Sequence, residues 1–495
     1  MTRLPRGFTV RLAPDVLNVD DGRLLVGGSP LTAMRLSVMA RSLMAGGQVT
    51  VTDEPTARVA DRLLATNLGV PDLDNVAEAD ADALTVVIPV RDRPTQLDRT
   101  LTALAPLRCV VVDDASVDPT AVAEVAARHA ARLVPLPANV GPAAARNAGA
   151  ALVTTPFVAF VDSDVEVCAG SLLRLTRHFA DPTVCLVGPR VTGAVRSQRP
   201  RWFERYDAAA SSLALGRRAV SVGPGSAVAW LPSACLVGRA RVVGGAFDES
   251  LRVGEDVDLV WRLVADGHRV RYDPSVVAAH DARSTLRAWL GRKAFYGTGS
   301  AVLAQRHGAQ LAPAVLTPTY GVAAAALLLR KRWSVPVAAV ALGVGTRAVH
   351  RALPPAPDNW PVAGRLALRG LAWAVRQESS LLLRHWWPAA LLGAASSRAV
   401  RRAVATAAVV DAVAALADHR HEASRRHAAL VVIGRRLDDA AYGAGLWWGA
   451  ITAHSAKALL PRRPSALGPR RVSPSPRTGE PHPHRFSLDT RSEAL

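Results

Sequence analysis

The chain has 495 residues, with 60 Lys and Arg against 41 Asp and Glu, which gives a formal net charge of +19. Hydrophobic residues make up 49%, so most of the chain can build a core, and the length predicts two or three domains. The cysteines are scattered without a Cys-x-x-Cys pair, which argues against a disulfide scaffold and against structural zinc.

The excess positive charge lies mostly after residue 283, much of it as arginine. Such a balance suits nucleic acid, anionic lipid or nucleotide substrates. The chain shows no helix-turn-helix, zinc-finger or RNA-recognition signature, so no nucleic-acid partner is expected. The N-terminus lacks an apolar core of signal-peptide length, which predicts a cytoplasmic protein.

Residues 1–80 are predicted to form a small module of a ribbon and helices, about the size of a winged-helix domain. Asp20–Gly22 is a hairpin turn signal. Leu31–Ala45 and Val59–Leu68 have the pattern of helices. The acidic segment Glu78–Ala83 then forms a linker to the next domain.

From Leu84 onward the pattern alternates between strand and helix. This alternation predicts an α/β fold with a mostly parallel sheet flanked by helices. Ligands bind such sheets beyond the carboxyl ends of the strands, where Asp113/Asp114 and Asp162/Asp164 would meet. The predicted strands are Leu84–Pro89, Arg108–Asp114, Ala131–Leu136 and Phe157–Asp162, and the predicted helices are Thr95–Ala105, Pro119–His129 and Ala143–Val153.

The rest of the chain is predicted to be mixed and then helical. Two apolar segments, Val315–Leu329 and Val335–Val344, are at or below the length that spans a membrane. If both segments crossed the membrane as a hairpin, the basic Arg330–Arg332 between them would lie on the membrane face opposite the N-terminal domains. For a cytoplasmic enzyme this breaks the tendency of basic residues to lie on the cytoplasmic face, so helices in the membrane interface or packed on the protein are favoured. We therefore expect association with the inner face of the cell membrane. Further predictions are a strand at Val228–Val237, a helix at Glu255–Asp266, a strand at Arg269–Tyr272, a helix at Leu286–His307, an apolar and basic helical region over 309–460 and a disordered tail over 461–495.

The apolar run Phe157–Val161 ends abruptly in the two carboxylates Asp162 and Asp164. Side chains two residues apart on an extended chain point the same way, so both carboxylates would aim at one spot. Hard divalent cations seek such oxygen ligands, and Mg²⁺ usually arrives with substrate phosphates. The alternative is a surface turn with two solvated aspartates.

Three further features accompany this pair. Asn139–Gly149 is a loop that opens a helix, and its N-terminus and Arg146 suit a diphosphate. Glu255 and Asp256 fall in the first turn of a predicted helix, where the helix dipole favours carboxylates, although ordinary capping explains them equally well. His280 ends a strand-like segment, and a lone histidine is more often structural than a ligand.

Taken in chain order, Val86–Arg93, Val111–Ser116, Asn139–Gly149, Asp162–Asp164 and Val253–Arg262 resemble the motifs of glycosyltransferase family 2, whose fold is called GT-A. The resemblance covers about Leu84–His307, and it implies a sugar-transferring domain over 84–308. The implied donor is a UDP-sugar, and the implied cofactor is Mg²⁺ or Mn²⁺.

The resemblance also implies a role for each matching residue. Pro89 and Arg91 would border uracil and ribose, Asp113 would accept from the uracil N–H with Asp114 beside it, and Arg146 would face uracil or the diphosphate. Asp162 would bind ribose, Asp164 would bind the metal, and His280 stands where some relatives add a metal ligand. Asp256, beside Glu255, would be the general base of an inverting displacement. Trp230 would stack on an acceptor sugar, or else be a core tryptophan.

Within the family, Leu4–Pro14, Leu24–Leu31 and Leu251–Leu263 resemble the mycofactocin biosynthesis glycosyltransferases of actinobacteria. This implies the transfer of β-1,4-linked glucose from UDP-glucose to a peptide-derived redox cofactor. The first eighty residues are similar to peptide-binding winged-helix modules of the PqqD kind. Two alternatives remain open: a cell-envelope transferase with a lipid-linked or polysaccharide acceptor, and an inactive GT-A scaffold that binds a peptide.

Overall fold

The computed structural model describes residues 4–20, 22–44, 46–353, 359–418 and 428–464. Most of the predicted disordered tail, from residue 465 onward, lies outside the described residues. The described chain forms an N-terminal module, a nine-stranded α/β unit and a group of C-terminal helices.

The N-terminal module contains two small antiparallel sheets, one with β1 between β5 and β6 and one with the order β2-β3-β4. The predicted helix Leu31–Ala45 is wrong over its first half, because Thr32–Arg35 pairs with β3 as a strand. The helix begins only after Ser37, whose hydroxyl caps it by accepting from the Ala40 N–H at 3.1 Å. The elements are β1 Thr9–Leu12, β2 Leu17–Val19, β3 Leu24–Gly27, β4 Thr32–Arg35, α1 Val38–Ser42, β5 Gln48–Thr50, α2 Glu54–Ala65 and β6 Gly69–Asp72.

The predicted alternation of strand and helix is present from Leu84 to Val161. Across this part of the chain each strand ends within about one residue of its predicted carboxyl end. The elements of the α/β unit are β7 Leu84–Val90, α3 Pro94–Leu104, β8 Arg108–Asp113, α4 Pro119–Arg128, β9 Arg132–Pro135, α5 Pro142–Ala150, β10 Phe157–Val161, β11 Val165–Glu166, α6 Ala169–Thr176, β12 Val184–Ala194, α7 Trp202–Ala209, β13 Val220–Val222, β14 Cys235–Arg239, α8 Ala240–Val243, α9 Glu255–Ala265, β15 Arg269–Asp281 and α10 Leu286–His307.

The central sheet has the order β11-β15-β12-β14-β10-β7-β8-β9, with β13 paired to β15. The predicted parallel pairing is present for β10, β7, β8 and β9 and also between β12 and β15. Strand β14 runs antiparallel to both of its neighbours, β10 and β12, and β11 and β13 run antiparallel to β15. The sheet is therefore mixed.

Two strand boundaries on this side also differ from the prediction. Strand β14 begins at Cys235, well after the predicted start at Val228. Strand β15 continues to Asp281 past Pro274, because its pairing with β12 shifts register between Pro189 and Arg190 and leaves Pro274 outside the ladder. The extension brings the carboxyl end of β15 to the edge of the sheet that holds the candidate active site.

Strands β7, β8 and β10 are buried on both faces over most of their length, as their continuous apolar runs require. Leu84, Val86 and Ile88 pack on one face of the sheet, in the cluster that includes α3. Val87 packs on the other face, against α5. Helix α5 lies very close to the sheet, since a Cβ on Gly149 would stand 2.4 Å from Val87 Cγ1.

The C-terminal helices pack on the α/β unit and on the N-terminal module. Helix α16 lies against α10, and a Cβ on Gly445 would stand only 1.8 Å from the carbonyl oxygen of Ala294. Leu24 and Val26 of β3 pack against Leu366. The helices are α11 Pro318–Leu329, α12 Ser334–Ala352, α13 Asn359–Ser380, α14 Trp387–Ser396, α15 Arg398–Asp418 and α16 Ala428–Thr452, with a π-helical turn at Leu381–His385.

The two apolar segments of the sequence become α11 and α12, which pack against each other and against α13. Within the described ranges, no helix has both the length and the apolar character needed to cross a membrane. The predicted association with a membrane gains no support from these helices.

Candidate active site

A cavity of about 990 Å³ opens at the carboxyl ends of the parallel strands. Its volume lies at the upper end of the range for sites that enclose small molecules. The loops after β7 and β10, the start of α9, the end of β15, and α10 form its walls. Every predicted site residue except Asp113 lines this cavity: Pro89, Arg91, Asp114, Arg146, Asp162, Asp164, Trp230, Glu255, Asp256 and His280.

Asp113 is the exception because its carboxylate is used inside the protein. It is 2% exposed, and its Oδ1 accepts from the backbone N–H of Ser116 at 3.0 Å and from the Ser116 hydroxyl at 2.5 Å. The same hydroxyl accepts from the Asp92 N–H at 2.9 Å, so it joins the loops after β7 and β8. The carboxylate that lines the cavity is Asp114, which accepts from the N–H groups of Val140 and Gly141 at 2.7 and 3.0 Å.

Arg146 on α5 links two of the predicted carboxylates. Its Nη2 donates to Asp162 Oδ1 at 2.6 Å, and its Nη1 donates to Glu255 Oε1 at 3.1 Å. The side chain is 3% exposed, and the ring of Phe247 lies 5.4 Å from the guanidinium carbon. Both terminal nitrogens of Arg146 are therefore engaged with carboxylates of the cavity wall.

Asp162 and Asp164 both reach the cavity, but not as one extended pair. Strand β10 ends at Val161, and the N–H of Val165 donates to the carbonyl of Asp162 at 3.0 Å, which closes a turn. The strand alternation that predicted a common direction does not continue through a turn. The two carboxylates consequently have different partners, Arg146 for Asp162 and a separate group of cations for Asp164.

Asp164 is 4% exposed and is surrounded by basic groups. Arg93 donates to its Oδ2, Arg283 Nη1 stands 3.7 Å from the same oxygen, and His280 Nε2 stands 3.6 Å from Oδ1. His280 reaches this position because β11, directly after Asp164, pairs with the end of β15. Burial acts to raise the pKa of Asp164, but the charges of His280, Arg93 and Arg283 together hold that pKa below its usual value.

The fit of this position to a divalent cation can be judged from its donor set. Among the described residues, no group of three or more His, Cys, Asp or Glu side chains is arranged to hold a metal ion. Asp164 and His280 form a pair, however, and Mg²⁺ is commonly held by one or two protein ligands together with substrate phosphates. The two residues fit an ion that a phosphorylated substrate helps to hold.

Glu255 and Asp256 open helix α9 directly after Gly254, whose φ is +81°. Glu255 Oε1 accepts from the Ser233 hydroxyl at 3.1 Å, and Asp256 Oδ2 accepts from the Ser233 N–H at 3.3 Å. Asp256 is half-buried and faces the cavity. Burial, reinforced by the neighbouring Glu255 carboxylate, raises the pKa of Asp256 to about 7. A carboxylate with that pKa is suited to take a proton near neutral pH.

The structure adds cavity residues that the sequence did not indicate. Arg93 ends the motif Val86–Arg93 but was assigned no role, and Arg283 follows the predicted His280 by three positions, with that proximity as its only signal. The C-terminal region adds Arg384, Asp438 and Tyr442, which belong to none of the motifs and were assigned no role in the site. Half-buried Trp230 lines the cavity, as its predicted role requires.

Charged contacts hold the C-terminal wall of the cavity together. Lys293 Nζ of α10 lies 2.9 Å from Asp438 Oδ2 of α16. Arg384 donates to Asp439 Oδ1 at 2.8 Å, and its guanidinium carbon stands 3.9 Å from the centre of the Tyr442 ring. This wall is thereby fixed to α10, which also borders the predicted donor side.

Family models match two overlapping parts of the chain: Glycosyl transferase family 2 over residues 85–225, and Glycosyl transferase family group 2 over residues 157–416. A pre-mycofactocin glycosyltransferase of Mycobacterium tuberculosis is 42% identical over 474 residues, which are 93% of this chain and 99% of the relative. An uncharacterized glycosyltransferase of Mycobacterium bovis is 43% identical over 110 residues, 22% of this chain and 49% of that protein. A mannosyltransferase of Pyrobaculum calidifontis, solved with GDP-Man and Mn²⁺, superposes with a TM-score of 0.41 at 19% identity, over 76% of this chain and 90% of that one.

Proposed function

The chain belongs to glycosyl transferase family 2 and is a glycosyltransferase, and from this premise we propose that it moves a hexose from a UDP-sugar to a peptide-derived acceptor in mycofactocin biosynthesis. One observation supports this proposal above the others. A single cavity is lined both by Asp164 with its cationic neighbours and by Asp256, a carboxylate whose pKa is raised toward neutrality. The first group suits a diphosphate, and the second suits proton removal from a hydroxyl.

The proposed donor half lies at the carboxyl ends of β7, β8 and β10, in a GT-A arrangement. Pro89, Arg91 and Asp114 would border the base and ribose, and Asp162 would accept from a ribose hydroxyl. Asp114 takes over the role expected of Asp113, since Asp114 lines the cavity and Asp113 does not. Asp164 and His280 would hold a divalent cation, which supplies charge neutralisation at the diphosphate when bound.

Asp256 is the proposed general base of an inverting displacement. It would take the proton from the acceptor hydroxyl as that oxygen attacks the anomeric carbon of the donor sugar. The bond from that carbon to the diphosphate oxygen breaks, and UDP leaves. Glu255 and Arg146 position Asp256 through Ser233, which contacts both carboxylates. Trp230 would stack on a sugar of the acceptor.

The acceptor assignment rests on the M. tuberculosis relative, which is named as a pre-mycofactocin glycosyltransferase. We propose the mycofactocin precursor as acceptor, glucose as the sugar and a β-1,4 linkage between successive glucoses. We also propose that the N-terminal module, as a PqqD-like winged-helix unit, binds the peptide-derived part. The module packs against α13 through Leu24 and Val26, so it has a fixed position on the enzyme.

Incubation of the full-length protein with UDP-glucose, Mn²⁺ and the peptide-derived precursor tests this function. We expect UDP release that depends on the precursor, together with a product whose mass increases by whole hexoses. Matched reactions contain a polyprenyl phosphate acceptor or no acceptor. Release only with the lipid would favour a cell-envelope transferase, and no acceptor-dependent release would favour an inactive scaffold.

The rate should also depend on pH through Asp256. A general base acts only in its ionised form, and the pKa of Asp256 is raised to about 7. We therefore expect kcat/KM to fall as the pH decreases through about 7, a range in which an ordinary aspartate would stay ionised. In Glu255→Gln this acidic limb should move to lower pH, because the neighbouring negative charge is gone. A profile that stays flat from about pH 5 to pH 8 would contradict the assignment.

A further inference from the structure

The region around Asp164 carries more positive than negative charge. Two guanidiniums, those of Arg93 and Arg283, share one carboxylate oxygen. Arg292 also lines the cavity and has its guanidinium carbon 5.7 Å from the ring centre of Tyr296. A site with this excess of positive charge favours the binding of an anion.

The same carboxylate is the protein oxygen ligand proposed for the divalent cation. A cation that reached Asp164 while both arginines remained would stand close to two like charges, and that arrangement is unfavourable. A diphosphate changes the balance, because guanidinium groups pair with phosphate oxygens through two parallel hydrogen bonds. The arginines then have a partner other than Asp164.

We propose that Arg93 and Arg283 are exchangeable partners of Asp164, which occupy its carboxylate in the free enzyme and move to the diphosphate of the donor when it binds. This inference rests on the proposed donor. The exchange frees Asp164 for the divalent cation only when the diphosphate is present. Both side chains are partly exposed to the cavity, at 30% for Arg93 and 21% for Arg283, so they have room to change partner.

Metal and nucleotide should therefore bind with positive coupling. Free protein should bind Mn²⁺ weakly, and UDP should increase the Mn²⁺ affinity by about tenfold or more, the usual size of such coupling. By linkage, Mn²⁺ must increase the UDP affinity by the same factor. This coupling is a property of binding and can be measured without turnover.

The test is calorimetric titration of Mn²⁺ into the full-length protein with and without UDP, and of UDP with and without Mn²⁺. In Arg93→Gln and Arg283→Gln, we expect tighter Mn²⁺ binding to the free protein, because a competing cation is gone. We also expect UDP binding without metal to weaken by about tenfold, the effect of losing one charged hydrogen bond. The factor by which UDP increases the Mn²⁺ affinity should become smaller. Each variant leaves the other arginine beside Asp164, so the buried carboxylate keeps a counter-ion.

Two further variants serve as controls. Arg283→Lys keeps the charge, so its Mn²⁺ affinity without UDP should match that of the wild type. Arg128→Gln removes an exposed arginine that pairs with Asp98 away from the cavity, so it should change neither affinity. Unchanged or weaker Mn²⁺ binding to both glutamine variants, with UDP binding by the wild type intact, would overturn the exchange alone. A wild-type protein that binds no UDP under any condition would overturn the exchange and the proposed donor together.

Discussion

Replacing Asp256 with asparagine should lower kcat by about 10²–10⁴, the contribution expected of a positioned general base. Asparagine keeps the shape of the side chain but cannot take a proton from the acceptor hydroxyl. The amide oxygen can keep one of the two hydrogen bonds that Asp256 accepts, from the Ser233 N–H at Oδ2 or from the Val257 N–H at Oδ1, and none of the proposed donor-binding residues is changed. UDP binding, measured by calorimetry, should therefore remain close to that of the wild type.

A matched control lies on the same helix. Asp266 follows the last residue of α9, is exposed and lies outside the cavity, so Asp266→Asn should retain the wild-type kcat. Activity is measured as acceptor-dependent UDP release at saturating donor. Near-full activity of Asp256→Asn would show that the general base is another group.

The largest effect on stability is expected for Arg146→Met. The substitution leaves the Asp162 and Glu255 carboxylates without the guanidinium that pairs with both. Breaking a buried ion pair by removing one partner typically costs about 3–5 kcal/mol, because an uncompensated charge stays in the protein interior. We expect the free energy of unfolding from urea titration to fall by about that amount.

The stability lost because charges are left unpaired can be distinguished from the stability lost because side-chain packing is removed. Adding Glu255→Gln to Arg146→Met removes one of the two stranded charges, so the double variant should be more stable than Arg146→Met alone. Arg128→Met, on the surface, should change the free energy of unfolding by less than about 1 kcal/mol. A value for Arg146→Met within that same range would contradict the role we assign to the pair.

The sequence predicted the fold best where neighbouring elements decide the structure. Continuous apolar runs and the alternation of strand and helix between Leu84 and Val161 identify β7 to β10 and their helices correctly. The prediction failed where strand pairing is non-local. Strand β14 inserts between β10 and β12, and β15 continues past Pro274, because of partners that lie far away in the chain.

The prediction of the site also succeeded where local motifs decide the structure and failed where distant contacts decide it. Motif positions brought almost all of the predicted residues to one cavity, since the carboxyl ends of parallel strands share an edge. Which of two adjacent carboxylates faces the cavity was not predictable, because it depends on Ser116 holding Asp113 inward. Arg384, Asp438 and Tyr442 come from helices without a motif, and only packing brings them to the cavity.

The C-terminal wall has a consequence for the order in which this enzyme becomes complete during translation. The sheet and the proposed donor loops lie within Leu84–Asp281, so they can pair as soon as that segment leaves the ribosome. Asp438 and Tyr442 lie on α16, so this wall of the cavity is absent until the chain has been synthesised beyond Thr452. Until then Lys293 lacks the carboxylate of Asp438. A nascent chain thus acquires the side of the cavity formed by the sheet well before it acquires the C-terminal wall.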